Sequence, residues 1–419
     1  LRYPSADGQR LETELSYESR NVRRAYMAHS YAQWKPSPSF TFRSGVQATL
    51  YDVDLLQYYR LENIYDTKFE GMFALARAYA QVKWQPARRL FLFTGVHAQH
   101  YTTTQETVVE PRFGLQWEPH PHHTFAIGSG LYHQTQHFQS QFATPFVGFN
   151  QIGQQIHEDL LHLPSNRSIH ADAEYRLLIN DDWRLRAQVY AQFIDRVAVE
   201  RDDSSAFSML NTGESFFDYY YAPLVPNGKG RNMGVELTVE KFFSKNYYAL
   251  FTATLYDSRA LGSDGIWRNT VFNNRYIVNL LFGKEWSFGK VSEHTFFADV
   301  RFCTRGGRPY TPIDAEATYI QGFQNNGLEE VFIDSLANMV RTPAFYQVDL
   351  KVGIRLNDLK RRLTHGIRLD LFNAFNLRNV LTYRYSAVFD PISGQTSQGT
   401  IEPIYQRGFI PDLTYFIQF

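Results

Sequence analysis

Period-two alternation runs through most of this chain. From Tyr346 to Leu356 the positions Tyr346, Val348, Leu350, Val352, Ile354 and Leu356 are apolar, with Gln347, Asp349, Lys351, Gly353 and Arg355 between them. A helix would scatter these apolar residues around its circumference, whereas a strand gathers them on one face. The same alternation recurs at Ile169–Ile179, Trp183–Phe193, Met233–Glu240 and Phe296–Cys303. The runs are about 10–13 residues long, beyond the roughly 5–6 of soluble strands and close to the about 9–11 of a tilted membrane strand.

The segments between the runs differ in length. Short polar turns fall at Lys35–Ser39, Gln85–Arg89, Glu118–His123, Asn180–Asp182, Ser244–Asn246, Ser287–Glu293 and Asn357–Arg362. Long segments fall at Asp52–Gly71, Gln136–Pro164, Val197–Gly230, Arg259–Phe272, Arg305–Pro343 and Arg378–Gln406. Read together they predict strict alternation of short and long connections. That is the pattern of an outer-membrane barrel with short periplasmic turns and long extracellular loops. The spacing gives about sixteen antiparallel strands, the even number expected of bacterial barrels, the first near Leu11–Tyr17. The chain ends with Phe409, Pro411, Leu413, Tyr415, Ile417 and Phe419 on one face of a last strand. If Phe419 ends in the periplasm, counting backwards puts every short turn there.

Composition agrees. Charge is balanced, 42 basic residues against 42 acidic, so no basic field for nucleic acid exists. A hydrophobic content of 44% excludes a disordered chain, and one cysteine excludes a disulfide framework or multi-cysteine metal site. No run approaches the roughly 18 apolar residues of a spanning helix. Mean hydropathy is −0.38, yet aromatics make up 16%, as in a barrel whose apolar signal is diluted by alternation.

The candidate chemistry is sparse. His157 and His162, with Glu158, are spaced five apart on a loop, where a zinc peptidase needs His four apart on a helix. His120, His122 and His123 share a turn with Pro119 and Pro121, and turn formation accounts for that segment. Gly228, Gly230 and Gly234 miss the dinucleotide-binding spacing. Cys303 falls on a polar face with no partner that would make it a nucleophile. We therefore expect no catalytic, cofactor or metal site, and no enzyme.

Charge on the polar face carries more information. Arg176, Arg186, Glu236, Asp299, Arg301, Asp349, Lys351, Arg355, Arg368 and Asp370 share that parity, as do Asp172, Glu174, Arg184 and Glu240. An Arg or Lys facing lipid at mid-depth would cost about 2–4 kcal/mol, so these residues are expected to face a lumen. The expectation is a wall of paired charges holding a plug. Phe216, Phe217, Tyr219, Tyr220 and Tyr221 cluster in one long loop as candidate substrate contacts.

Longer words carry a resemblance. Asn227-Gly-Lys-Gly-Arg-Asn-Met-Gly-Val-Glu-Leu-Thr-Val-Glu-Lys241, Arg268-Asn-Thr-Val-Phe-Asn-Asn-Arg-Tyr276 and Gly306-Gly-Arg-Pro-Tyr-Thr-Pro-Ile-Asp314 resemble segments of TonB-dependent outer-membrane receptors of the Bacteroidetes type. So do Asp370-Leu-Phe-Asn-Ala-Phe-Asn-Leu-Arg-Asn379, Tyr405-Gln-Arg-Gly-Phe-Ile-Pro411 and Glu110-Pro-Arg-Phe-Gly-Leu115. The resemblance implies a multi-pass barrel of twenty-two strands in the bacterial outer membrane. Residues 1–419 then form its C-terminal part, with the N-terminal plug, the TonB-binding segment and the first strands not recognisable. It implies uptake of an extracellular substrate, with energy from the TonB complex reaching the protein through that N-terminal region. Implied partners are outer-membrane lipid, the barrel assembly machinery and, as a further candidate, a surface lipoprotein or other outer-membrane protein. Tyr415, Ile417 and Phe419 resemble the assembly signal at the end of such barrels. A plugless passive channel and a barrel scaffold for an outer-membrane complex are the alternatives.

Overall fold

The computed structural model describes residues 2–4, 11–13, 17–59, 64–136, 141–144, 146–149, 155–157, 160–212, 222–291, 293–323, 330–358, 363–389 and 396–419. Fifteen strands follow one another in a single antiparallel sheet. They are β1 (Tyr17–Ser37), β2 (Phe40–Tyr59), β3 (Ile64–Ala87), β4 (Leu90–Tyr101), β5 (Glu106–His120), β6 (His123–Gln134), β7 (Asn166–Asn180) and β8 (Trp183–Glu200). Then come β9 (Leu224–Ser244), β10 (Tyr247–Leu261), β11 (Tyr276–Phe288), β12 (His294–Arg305), β13 (Phe345–Asp358), β14 (Leu363–Phe372) and β15 (Ile410–Gln418). The short strand Trp267–Asn269 pairs with the end of β10 and brings the sheet to sixteen strands. No described helix is long and apolar enough to cross a membrane. Crossing falls to the strands, whose backbone groups pair with their neighbours.

Register places the two chemistries on opposite faces. Ala187, Leu237 and Ala253 are Cα partners along one row, and Gln188, Glu236 and Thr254 along the next. Val189, Val235, Leu255, Leu280, Phe282, Val352, Leu413 and Tyr415 are exposed on the apolar face. An exposed apolar face this continuous belongs in lipid. Trp34, Trp84, Trp117 and Trp286 lie on it near the short-turn ends, as an aromatic belt at the periplasmic interface.

The short turns are built from residues suited to them. Lys245 and Asn246 both have positive φ, 52° and 62°, and join β9 to β10 in a two-residue hairpin. At the β7–β8 turn the Asn180 side chain accepts from the backbone N–H of Asp182 and Trp183, at 2.9 and 3.1 Å.

The structure corrects the sequence reading in three places. Leu11–Thr13 pairs with Arg2–Pro4 in a separate two-stranded piece, and the first strand of the main sheet begins at Tyr17. Asp52–Gly71 is mostly strand, because β2 runs to Tyr59 and β3 starts at Ile64. Strict alternation of connection length also fails, since β4 and β5 are joined on the long-loop side by the turn at Thr102–Gln105. The misreading of Asp52–Gly71 has a physical cause. Beyond the lipid the outward face need not be apolar, so period two fades while the strand continues. With 24 residues at about 3.3 Å each, β3 spans roughly 80 Å along its axis, against an apolar band of about 25 Å. The outward-facing pairs Arg20–Asp54 and Arg24–Asp52, at 3.0 and 2.9 Å, sit on that projecting part.

Strands β1 and β15 are the edges of the sheet. The long connections fold in their own right. Val380–Phe389 and Thr396–Tyr405 form a hairpin within the Arg378–Gln406 segment.

Candidate functional site

The polar face of β7 to β15 is a lattice of ion pairs. Glu174 accepts from Arg176 at 2.6 Å and from Arg186 at 2.7 Å. Arg184 pairs with Glu240, and Arg355 with Glu285. Arg301 meets Asp349 at 3.4 Å. Asp370 takes Lys351 at 3.6 Å and Arg368 at 2.6 Å. Opposite Lys351, Asp299 accepts from the Tyr248 hydroxyl at 2.8 Å. That contact needs the missing side chain of Gly283, across which the Tyr248 ring lies; a Cβ there would come within 2.4 Å of the ring. Glu236 makes no ion pair among the described residues and lies between Gln188 and Thr254. Cys303 lies on this face too, opposite Asn279 and Gln347.

A second cluster joins β4, β5 and β6. Glu110, with its side chain 3% exposed, sits beside His97 Nδ1 at 2.7 Å and accepts from Arg112 at 2.9 Å and the His133 backbone N–H at 2.6 Å. A buried carboxylate is tolerable only with such partners. Glu110 and Arg112 come from the Glu110–Leu115 word.

The other words build the extracellular mouth. In the Arg268–Tyr276 segment Asn273 donates to Asp257 and to Asn269, both at 2.9 Å, and Asn274 donates to the Gly306 carbonyl at 2.8 Å. Arg341 reaches into the same knot, donating to the carbonyls of Asn273 and Gly307 and to Asn269. Burial, with Arg275 and Arg259 close by, pulls the Arg341 pKa down; burial alone does so for Arg308. Arg268 is buried against Asp264 at 2.6 Å. In the Asp370–Asn379 word, Asn373 and Asn376 take positive φ, 48° and 51°, which Asn tolerates better than most residues. Asn373 clamps its turn through Leu377, and Asn379 exchanges two hydrogen bonds with Tyr346 of β13. These words therefore fix where loops leave the wall.

Aromatic and aliphatic residues fill the mouth over β2 to β4. Val53, Leu55, Phe73, Leu75 and Tyr101 are buried together with Phe142 of the Gln136–Pro164 loop. Phe142 stacks on Phe69 with centroids 3.9 Å apart, and Tyr101 donates to Gln141 at 3.0 Å. The loop thus folds against the inner face of the sheet. The packet was hidden in the sequence because Val53, Leu55 and Phe142 fall in segments read as loops; the parity that Val53 and Leu55 share with Gln47 and Thr49 was the available signal.

Other candidates fare differently. Phe216, Phe217, Tyr219, Tyr220 and Tyr221 lie outside the described residues. The rings of His120, His122 and His123 are close, with His120 5.3 Å from His122 and 5.8 Å from His123. Even so, no group of three His, Cys, Asp or Glu side chains among the described residues is arranged to hold a metal. Tyr415 and Ile417 face outward on β15, and Phe419 is fully exposed beyond it.

A sheet of long antiparallel strands, apolar outside and charged inside, with short turns at one end and folded loops at the other, defines an outer-membrane β-barrel. The family model described as TonB dependent receptor-like, beta-barrel matches residues 5–377, and the chain belongs to that family. The family is one of receptors and transporters rather than enzymes. No curated protein matches the sequence. Among solved structures the chain is similar to the copper transporter OprC, at 13% identity and TM-score 0.61, covering 99% of this chain and 58% of that one. It is also similar to the outer membrane transporter YddB from Escherichia coli, at 11% identity and TM-score 0.57, covering 94% of this chain and 54% of that one. The ferric yersiniabactin uptake receptor FyuA from Yersinia pestis matches at 11% identity and TM-score 0.57, covering 97% and 56%. The chain thus spans little more than half the length of these neighbours.

Proposed function

We propose that this chain is the barrel of an active outer-membrane importer, in which an extracellular solute binds at the loop mouth and TonB supplies the energy for its passage. The observation carrying this reading is the wall of β7 to β15. Most of its charges are paired side by side on the face away from lipid. Such a lattice gives a polar surface against which a folded plug can pack and slide. We further propose that plug and earlier strands belong to the same protein N-terminal to residue 1. Edge strands β1 and β15 would otherwise present unpaired backbone groups to lipid. The solved transporters, nearly twice as long, have room for such parts.

The test is a binding assay between the periplasmic domain of TonB and the protein extracted from its own outer membrane. Specific retention, with solute uptake that stops when the inner-membrane proton gradient is collapsed, supports import. Steady ion conductance in planar bilayers without retention would favour the passive channel instead.

The end of the chain is proposed to be read by the barrel assembly machinery, with Tyr415, Ile417 and Phe419 as the signal. Phe419→Asp should lower the folded fraction in the outer membrane several-fold, seen as loss of the heat-modifiable band. Equal folded amounts of variant and wild type would refute this role.

A further inference from the structure

The inner faces of β2 to β5 carry a different arrangement from the paired lattice. Gln33, Arg43, Gln81, Gly95 and Arg112 are Cα partners in one row across β1 to β5. The row on the periplasmic side runs Thr41, Lys83, Phe93, Gly114, and the row on the extracellular side runs Gly45, Tyr79, His97, Glu110. Gly95 therefore leaves a floor, with Gln81 and Lys83 on one side, Arg112 on the other and Arg43 one strand beyond Gln81. These residues line a cavity of about 780 Å³.

Two of the cations here lack carboxylate partners, whereas Arg112 and His97 share Glu110. Arg43 and Lys83 make no ion pair among the described residues, and the Arg43 Nε is enclosed without an acceptor. Both lean on aromatic rings instead. Arg43 lies 4.1 Å from the Tyr31 centroid, and Lys83 lies 5.6 and 5.7 Å from those of Phe91 and Phe93. Aromatic faces hold cations in place without neutralising them. Arg77, two residues along β3 from Tyr79, is also unpaired among the described residues. Glu110 is the one acid in these three rows, and His97, Arg112 and the His133 N–H already occupy it. A lumen with low-dielectric walls focuses the field of such a patch on its contents.

The geometry points to an oxyanion-binding station on this wall, taking a carboxylate or phosphate group at Arg43 and Lys83. The Arg43 guanidinium fork matches the two oxygens of such a group, and Lys83 adds a second charge. Arg43 stands three residues into β2 from the short turn, so the station lies in the periplasmic part of the lumen. The oxyanion comes from a passing solute or from a side chain of the polypeptide filling the barrel. The direction of passage rests on the importer reading; the station itself does not.

The test uses the whole protein extracted from its own outer membrane in detergent and checked for its heat-modifiable band, titrated calorimetrically at low salt. The probes are citrate and inorganic phosphate, with glucose as the uncharged control. Citrate binding that R43Q/K83Q weakens at least tenfold, that Lys290→Gln in a periplasmic turn leaves unchanged and that 0.5 M salt reduces strongly identifies a solute station. No citrate binding, with the melting temperature of R43Q/K83Q several degrees below wild type and that of Lys290→Gln unchanged, identifies a station filled by the protein's own carboxylates. Citrate binding that is equal in R43Q/K83Q, or no citrate binding with an unchanged melting temperature, would overturn the station. Neither outcome touches TonB retention, so the importer reading would stand.

Discussion

The wall of β7 to β15 pairs most of its charge, whereas the wall of β2 to β4 leaves its charge open. In the first, Glu174 sits between two arginines, and Asp370 between a lysine and an arginine. In the second, Arg43 and Lys83 rest on aromatic rings with no carboxylate beside them. Both walls pass the same hydropathy filter, polar inside and apolar outside. Charge pairing is therefore a separate property, set by which residues register brings opposite one another. A self-paired wall is a finished surface; an unpaired one is completed by whatever enters the lumen.

The largest effect should come from breaking the division between faces. Val235→Arg, on the lipid side of β9, should destabilise the folded barrel by about 2–4 kcal/mol, while Gln188→Arg, on the inner face opposite Glu236, should be neutral or better. Urea midpoints in lipid vesicles check this. If the two substitutions behave alike, the faces are misassigned.

Within the inner face the paired wall should be the fragile one. Asp370→Asn strands Lys351 and Arg368 together. Both partners are more than a third exposed, so the loss is discounted to about 1–2 kcal/mol. The smallest effect belongs to the open wall. Arg77→Gln breaks no ion pair and should shift stability by less than about 0.5 kcal/mol. A destabilisation equal to that of Asp370→Asn would show that Arg77 has a structural partner and would end the contrast.

Strands within the lipid were legible because the membrane enforces alternation there. Leu250 and Phe251 illustrate the limit of that rule, with an apolar residue also on the inner face, yet β10 as a whole keeps its parity. Above the lipid the rule lapses, which is why Gln57 and Thr67 looked like loop and proved to be paired strand. The inner charges could be placed on a face but not paired, since pairing depends on register between strands. Arg186 lies opposite Arg176 on the neighbouring strand yet bonds Glu174 on the diagonal. The open wall was legible in principle, in Arg77, Tyr79, Gln81 and Lys83 alternating with Ala76, Ala78, Ala80 and Val82. The Asn-rich words stood out as sequence, but their role as loop anchors needs the positive φ of Asn373 and Asn376.

Alternate residues of each strand face lipid and lumen, and both the fold and the two walls depend on that division. It is tested by single cysteines at Val235, Glu236 and Leu237 in a Cys303→Ala background, which removes the one native thiol. The protein is probed in outer membranes with a charged, membrane-impermeant maleimide. Labelling at Glu236→Cys, with Val235→Cys and Leu237→Cys protected until detergent is added, is the predicted result. Equal labelling at all three positions, or labelling at Val235 and Leu237 with Glu236 protected, would contradict it.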